Sequence, residues 1–480
     1  MNAADTIVSL PLILVGAVAV LVLLAIAFCR NHHLVLTLTL AGLVASFVSL
    51  LVAAHYAPRA VTPLLVIDRY AIFYTGLILA ASFVVALLAF GYLKSREGKP
   101  EEFYLLLLLA TLGSAVLVSS NHFASFFLGL EILSVSLYPL IAYQRRNPLG
   151  IEAGVKYLVL AGVSSAFLLF GMALVYADLG TLLLPEIAVR VAKVAHPGGM
   201  LLTGFGLIIV GIGFKLALVP FHLWTPDVYQ GAPAPVTAFI ATVSKGAMFA
   251  LLLRYFTQVN FQQNRALVVI FAVMAVASMF VGNLLALLQN NVKRLLAYSS
   301  IAHLGYLLVA FLASGPLATT AVAYYLVAYF VTTLGAFGIV TVLSGKSGEA
   351  DTLEDYERLA WRRPWIAALF TAMLLSLAGI PLTAGFVGKF YVLAAGAGSG
   401  LWWLLVIMVV TSAIGLFYYL RVVVVMYRPT ASETDSSLIK PSLALAGSVA
   451  LAALALLLVW LGVYPAPLIR IIQTTVAGAV

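Results

Sequence analysis

The sequence predicts an all-α, polytopic membrane protein that crosses the bilayer about fourteen times. Hydrophobic residues make up 64% of the 480 residues and charged residues only 9%, a composition that excludes a soluble globular domain. Apolar runs of about 20 residues, the length that spans a hydrocarbon core of roughly 30 Å, recur along the whole chain. Four ionisable residues nevertheless lie inside these runs: Glu131, Lys215, Lys245 and Lys389.

The predicted spans are centred near residues 18, 44, 82, 111, 133, 165, 210, 244, 277, 304, 331, 375, 413 and 452. Lys and Arg are more than twice as frequent in the odd-numbered gaps between spans as in the even-numbered gaps; the odd gaps include Lys94, Arg145, Lys293 and Arg358. An excess of basic residues marks the cytoplasmic side of a membrane. We therefore expect the odd gaps to face the cytoplasm and both termini to face the periplasm.

Two of the predicted spans are interrupted beside a lysine. In span 7, Lys215 precedes Pro220 and His222, and in span 12, Pro381 precedes Lys389. Proline removes a backbone donor, and unsatisfied backbone at membrane depth is tolerated only where it is buried in protein or faces water. Both lysines are therefore predicted to lie at broken helices beside polar cavities.

The spacing of the breaks predicts an internal repeat. Residues 1–100 would form an N-terminal three-helix segment, residues 101–260 a first five-helix repeat (spans 4–8), residues 261–428 a second (spans 9–13), and residues 429–480 a C-terminal helix and tail. Because five is odd, the second repeat would cross the membrane in the opposite sense. We therefore expect two inverted five-helix repeats with broken helices 7 and 12, an arrangement typical of transporters.

Equivalent positions of the two repeats carry related residues. Lys215 and Lys389 both lie in the fourth member of their repeat, and Glu131 in span 5 matches His303 in span 10. Lys245 has only a partial counterpart, since Arg421 lies near the end of span 13. The match between the repeats is therefore incomplete, although it brings both broken helices into register.

A charge at the centre of a bilayer costs about 3 kcal/mol even on lenient insertion scales. The four ionisable residues are therefore expected to line a hydrated interior and to form a proton or ion path. Each has a simpler alternative: Glu131 and Lys215 could form a purely structural ion pair, Lys245 could have a structural role alone, and Lys389 could extend to the membrane surface. His222 and His303 fit the lining of a cavity, and their ordinary pKa range suits a supporting proton relay.

Redox chemistry is not expected in this chain. The single cysteine, Cys29, allows no disulfide and no thiolate set for an iron–sulfur cluster. His122, His222 and His303 lack the spacing of metal ligands. Any redox centre would belong to another chain.

Long motifs carry a resemblance to a known family. The run Gly213–Thr237, which reads GFKLALVPFHLWTPDVYQGAPAPVT, resembles the signature of the antiporter-like membrane subunits of respiratory complex I, the bacterial NADH:quinone oxidoreductase. The runs Asn291–Tyr306 and Leu377–Lys389 support it, and the likeness extends from Pro11 to Pro467. The resemblance implies a proton-translocating, multi-pass subunit of the bacterial plasma membrane. It implies no cofactor in this chain, with NADH, flavin, iron–sulfur clusters and quinone in other subunits.

The resemblance also implies partners and residue roles. The partners would be other complex I membrane subunits, including another antiporter-like subunit and small membrane subunits, together with the lipid bilayer and no nucleic acid. Glu131 would pair with Lys215, Lys245 would be the central lysine, and Lys389 would face the exit, while His222 and water pass protons towards Lys245. Two alternatives stay open: a subunit of a multi-chain sodium/proton antiporter, and a structural spacer with inert ion pairs.

Overall fold

The protein is almost entirely helical, as the sequence predicts. The computed structural model describes residues 2–96, 98–194, 198–258, 264–345, 348–429 and 445–476. The first half contains α1 (Ala3–Phe28), α2 (His32–Tyr56), α3 (Arg69–Lys94), α4 (Glu101–Val118), α5 (Phe123–Ile141), α6 (Pro148–Leu179), α7 (Leu184–Lys193), α8 (Gly199–Leu216), α9 (Trp224–Gly231), α10 (Ala234–Phe239) and α11 (Lys245–Gln258). A short hairpin joins β1 (Arg59–Thr62) to β2 (Leu65–Ile67) between α2 and α3.

The second half continues in the same manner. It contains α12 (Arg265–Leu287), α13 (Val292–Leu312), α14 (Pro316–Leu343), a 3-10 turn (Leu353–Tyr356), α15 (Leu359–Arg362), α16 (Pro364–Ala378), α17 (Ala384–Gly398), α18 (Trp402–Tyr427), α19 (Leu445–Val463) and α20 (Ala466–Thr475). Most of the predicted C-terminal unit is covered by α19 and α20, whereas residues 430–444 and 477–480 lie outside the described residues. The prediction of a polytopic all-α protein is confirmed.

The number of membrane crossings agrees with the sequence once one broken span is recognised. Thirteen segments of the described chain are long and apolar enough to cross a membrane, with α10 and α11 forming a single segment. The predicted twelfth span consists of α16 and α17, which have 15 residues each. A 15-residue helix is about 22 Å long, so each is too short to cross alone. Together they supply the remaining crossing.

Contacts between loops separate the two sides of the molecule. Even-numbered gaps contact one another and odd-numbered gaps contact one another, through the backbone bridges Leu65–Ser120, His122–Leu183 and Asn291–Thr352 and the hydrogen bond from Ser314 N–H to Ser399 Oγ. The last of these contacts joins the loop before α14 to the loop after α17. Since α16 starts on the opposite side, α16 and α17 form one interrupted crossing.

Helix α13 is the centre of the second half of the molecule and is almost completely buried. Glycines allow α12 to approach it closely: a Cβ added at Gly282 would lie 2.6 Å from the Ala302 amide nitrogen, and one at Gly305 would lie 2.9 Å from the Ala275 carbonyl oxygen. Such backbone-to-backbone packing through small residues is typical of membrane helices. It holds the polar face of α13 at a defined depth inside the protein.

Candidate functional site

The first predicted break is present, and Lys215 lies beside it. Helix α8 ends at Leu216 because Ala217 adopts a left-handed conformation with φ of 59°, and Pro220 lies in the loop before α9. The Lys215 side chain is 3% exposed. Its ammonium donates to Ser134 Oγ at 2.9 Å and to the Tyr157 hydroxyl at 2.8 Å. The buried amine therefore binds two neutral oxygens.

Glu131 does not contact Lys215 directly, contrary to the expected pairing. No ion pair of 4.0 Å or less joins them within the described part of the chain. The Glu131 carboxylate is only half-buried and accepts a hydrogen bond from Ser165 Oγ at 2.5 Å. Ser134 lies one turn after Glu131 on α5, so the same helix carries both the carboxylate and the hydroxyl that contacts Lys215. Glu131 instead lies next to an exposed stripe of α5 that includes Leu128 and Val135.

Lys245 lies at an irregularity that the sequence did not predict. A π-helical turn, Ile240–Ser244, separates α10 from α11, and Lys245 is the first residue after it. The side chain is 1% exposed, and its ammonium donates to Ser300 Oγ at 2.8 Å. Ser300 also accepts from the Tyr329 hydroxyl at 2.7 Å, and the Tyr229 ring centre lies 5.2 Å from the Lys245 nitrogen. Ser300 of α13 is therefore the main partner of this lysine.

His303 belongs to a hydroxyl cluster on the same helix. Its Nδ1 lies 2.7 Å from the Tyr325 hydroxyl and its Nε2 lies 3.2 Å from the Tyr419 hydroxyl, which also bonds to Ser299. Beside His303 is a cavity with room for about one water molecule, lined by His303, Tyr325, Ala328, Tyr329, Thr332, Ser376, Leu377 and Gly385. This cavity extends from the His303 cluster to the second helix break.

The second predicted break, around Pro381, is also present, and Lys389 folds back over it. Its ammonium donates to the carbonyl oxygens of Leu377 at 3.0 Å and Ala378 at 2.8 Å, and to Ser412 Oγ at 2.7 Å. These carbonyls belong to the last turn of α16, which has no following turn to satisfy them. The side chain is 8% exposed, so Lys389 does not extend to the membrane surface.

The predicted relay through His222 has less structural support. His222 lies in the loop between α8 and α9 and is 7% exposed. Its Nδ1 is buried and has no hydrogen-bond partner among the described residues. No hydrogen bond joins its side chain to Lys245 in that part of the chain. A relay through His222 therefore stays a prediction.

The sequence identified the charged residues but missed their hydroxyl partners. Serine and tyrosine are common in membrane helices, so most of these positions carry no signal of their own. One signal was available, because Ser299 and His303 are four residues apart and must lie on one face of a helix.

Within the described ranges, no group of three or more His, Cys, Asp or Glu side chains could hold a metal ion.

Comparisons with known proteins agree on a family. Residues 120–415 match the family described as NADH:quinone oxidoreductase/Mrp antiporter, TM. A curated relative from Nitrosospira multiformis, NADH-quinone oxidoreductase subunit N, is 55% identical over 99% of this chain and 97% of its own length. Among solved structures, a chain of respiratory complex I from Thermus thermophilus with bound aureothin has a TM-score of 0.81 and 34% identity, covering 96% of this chain and 98% of that chain.

Fold similarity extends further than sequence similarity. A chain of the Mrp complex from Dietzia sp. DQ12-45-1b has a TM-score of 0.85, with 20% identity, 99% of this chain covered and 97% of that chain. This similarity concerns the fold alone. The relative that is 55% identical over almost the whole chain therefore says more about the branch of the family than the shared fold does.

Proposed function

The chain belongs to the family of NADH-quinone oxidoreductase subunit N, and from this premise we propose how its buried charges contribute to proton translocation. It is a membrane subunit of a proton-translocating NADH-quinone oxidoreductase. Protons are proposed to move along Lys215, Lys245 and Lys389. The hydroxyls described above and His303 would connect the lysines, while Glu131 adjusts the charge of the first one.

The observation that carries this proposal is the bonding of the three lysines. Each is at least nine-tenths buried, and within the described part of the chain their ammonium groups donate only to hydroxyl and carbonyl oxygens. A buried charge is expensive unless it is paired. An amine bound to neutral oxygens can also release its proton without breaking an ion pair. These properties suit groups that change protonation state during turnover.

Electrostatics would link the three lysines. In a low-dielectric interior, charge on one group raises the free energy of like charge on its neighbours. Protonation of Lys215 would therefore disfavour protonation of Lys245, and so on along the path. Movement of the Glu131 carboxylate towards or away from Lys215 would bias the first step. We propose that redox chemistry in other subunits drives this movement.

The half-buried position of Glu131 supports a role at the edge of the subunit. Its helix α5 exposes Leu128 and Val135 on the same side, and exposed apolar stripes mark lipid or protein contacts. We propose that a neighbouring membrane subunit approaches this face.

Two further parts of the proposal concern the whole complex. The redox cofactors would be carried by other subunits. The odd-numbered gaps would face the cytoplasm, and both termini would lie in the periplasm of a bacterial inner membrane.

Replacement of the central lysine tests the proposal. Lys245→Met in the intact complex, reconstituted into liposomes, should lower NADH-driven proton translocation about 100-fold or more, the scale of an acid–base contribution, while the complex still assembles. Lys193→Met is the matched control, because Lys193 is an exposed lysine at the end of α7. An assembled Lys245→Met complex that translocates protons at the normal ratio per electron would show that the lysine is a structural spacer.

The sodium/proton antiporter alternative gains no support from the Mrp chain, whose 20% identity shows a shared fold only. It predicts that the chain purifies without a redox-active arm and that external sodium changes the ion movement. The favoured function predicts purification with flavin and iron–sulfur subunits, and proton translocation that continues when sodium is omitted.

A further inference from the structure

A second buried cluster of charges lies at the ends of α3 and α13, apart from the proposed path. Lys293, the second residue of α13, is fully buried, and its ammonium lies 3.1 Å from Glu349 Oε2. The same carboxylate accepts a hydrogen bond from the Tyr92 hydroxyl and lies 3.4 Å from the Arg96 guanidinium. The Glu349 side chain is 11% exposed. The sequence analysis counted Lys293 only as a basic loop residue, so its burial needs an explanation.

Lys293 also binds the backbone at a third helix interruption. Its ammonium donates to the Ala232 carbonyl oxygen at 2.6 Å. Ala232 lies between α9 and α10, where Pro233 and Pro235 lack N–H groups and the next helical bond runs from Thr237 N–H to the Pro233 carbonyl. The Ala232 carbonyl therefore has no place in either helix. Lys293 supplies the donor that a buried carbonyl requires.

This interruption is close in structure to Lys245. Tyr229, one turn before Ala232 on α9, places its ring centre 5.2 Å from the Lys245 ammonium. Ser300, the hydrogen-bond partner of Lys245, follows Lys293 by seven residues on α13, which puts both on one face of that helix two turns apart. Lys245 is thus bounded by two elements, α9 and α13, and Lys293 joins them at Ala232.

Close packing leaves little freedom on the other side of the interruption. A Cβ added at Gly231 would lie 2.3 Å from the Leu149 carbonyl oxygen and 2.6 Å from the Ala153 Cβ. The end of α9 therefore rests directly on α6. Helix α6 thus restricts the residue before Ala232, and the Lys293 ammonium binds the Ala232 carbonyl itself.

We propose that Lys293, held by the Glu349 carboxylate, is a positioning residue that fixes the interruption between α9 and α10 and so keeps Tyr229 and Lys245 in place for proton exchange. The inference rests on the proposed role of Lys245. Lys293 itself carries no proton along the path. Because Tyr92 and Arg96 lie on and just after α3, displacement of that helix end would be transmitted through Glu349 to Lys245.

The test compares variants of the intact complex in liposomes. Lys293→Met removes the ammonium, Glu349→Gln removes the charge that holds it, and Lys293→Arg keeps a cation with several donors. Lys193→Met is the surface control, and Lys245→Met reports on the proposed function itself. Two quantities are measured: protons translocated per electron, and hydrogen exchange of the backbone amides of residues 228–237.

Lys293→Met should accelerate exchange in residues 228–237 about tenfold or more and lower the proton-to-electron ratio. Lys293→Arg, which keeps the positive charge and several donors, should lower the ratio less than Lys293→Met does. An assembled Lys293→Met complex with unchanged exchange and ratio would overturn the inference while Lys245→Met still blocks translocation. Normal translocation by Lys245→Met would instead overturn the proposed function. If Lys293→Met fails to assemble, Glu349→Gln decides by the same criteria.

Discussion

Replacement of Gly385 by alanine probes the second helix break. Gly385 is the second residue of α17, and its N–H donates to Ser376 Oγ of α16 at 3.0 Å. An added Cβ would lie 1.9 Å from the Ser376 carbonyl oxygen, whereas real Cβ contacts are essentially never shorter than 3.0 Å. The two helices must therefore separate by about 1 Å in the Gly385→Ala protein.

The expected cost follows from this clash. Overpacking a close contact costs about 1–3 kcal/mol, and we expect the upper end because the obstructing atom belongs to the backbone. A shift of about 1 Å would also lengthen the bonds from Lys389 to the Leu377 and Ala378 carbonyls to about 4 Å, beyond hydrogen-bonding distance. Misplacement of a reacting group by this amount can cost on the order of 100-fold in rate.

The assay needs a stability measurement and a functional one. Gly398→Ala is the matched control, since Gly398 lies in the same helix and a Cβ there meets no atom within 4 Å. We expect the Gly385→Ala complex to melt at a lower temperature and to translocate fewer protons per electron, and Gly398→Ala to match the parent. Equal melting and equal translocation by Gly385→Ala would refute the argument that backbone contact at this break positions Lys389.

Two further predictions concern charges away from the path. Asp68→Asn should destabilise the protein by about 3 kcal/mol, measured by thermal unfolding, because Asp68 Oδ1 pairs at 2.7 Å with the buried Arg254; asparagine keeps the N-cap of α3, so unchanged stability would contradict the importance of the charge. Burial raises the pKa of the Asp351 carboxyl, in the loop after α14, above its ordinary value, although Asn291 and Lys293 act against the shift. A raised pKa in the folded state means that stability falls as pH increases through the titration. Asp351→Asn should therefore raise the melting temperature near pH 7 and lose this advantage below about pH 4; a difference that does not change with pH would contradict it.

Much of the fold and part of the site could be predicted from the sequence. Both predicted breaks are present: α8 ends at Leu216, four residues before Pro220, and α16 ends at Ala378, directly before Gly379. Lys215, Lys245 and Lys389 are buried inside the protein, and the hydrated interior that the sequence suggested for them stays a prediction. These features depend on local chemistry, which a single stretch of sequence contains.

Predictions that required two distant segments were less successful. The expected contact between Glu131 and Lys215 is absent from the described structure. Glu131 instead accepts a hydrogen bond from Ser165, and Lys215 donates one to Ser134. The sequence located charges but held no information on side-chain direction between α5 and α8. It also counted Lys293 only as a basic loop residue, although that residue is fully buried and its ammonium binds the Ala232 carbonyl and Glu349.

From the sequence alone it could be concluded that the chain is a membrane protein, where most of its spans lie and that two of them break, beside Lys215 and Lys389. Hydrophobic length, proline and glycine decide these features residue by residue, whatever the rest of the chain does. The oxygens around each buried lysine became known from the tertiary structure, because Ser134, Tyr157 and Ser300 reach Lys215 and Lys245 from positions 81, 58 and 55 residues away in the sequence. A buried amine must satisfy its donors with whichever groups packing brings near, and packing is a property of the whole fold.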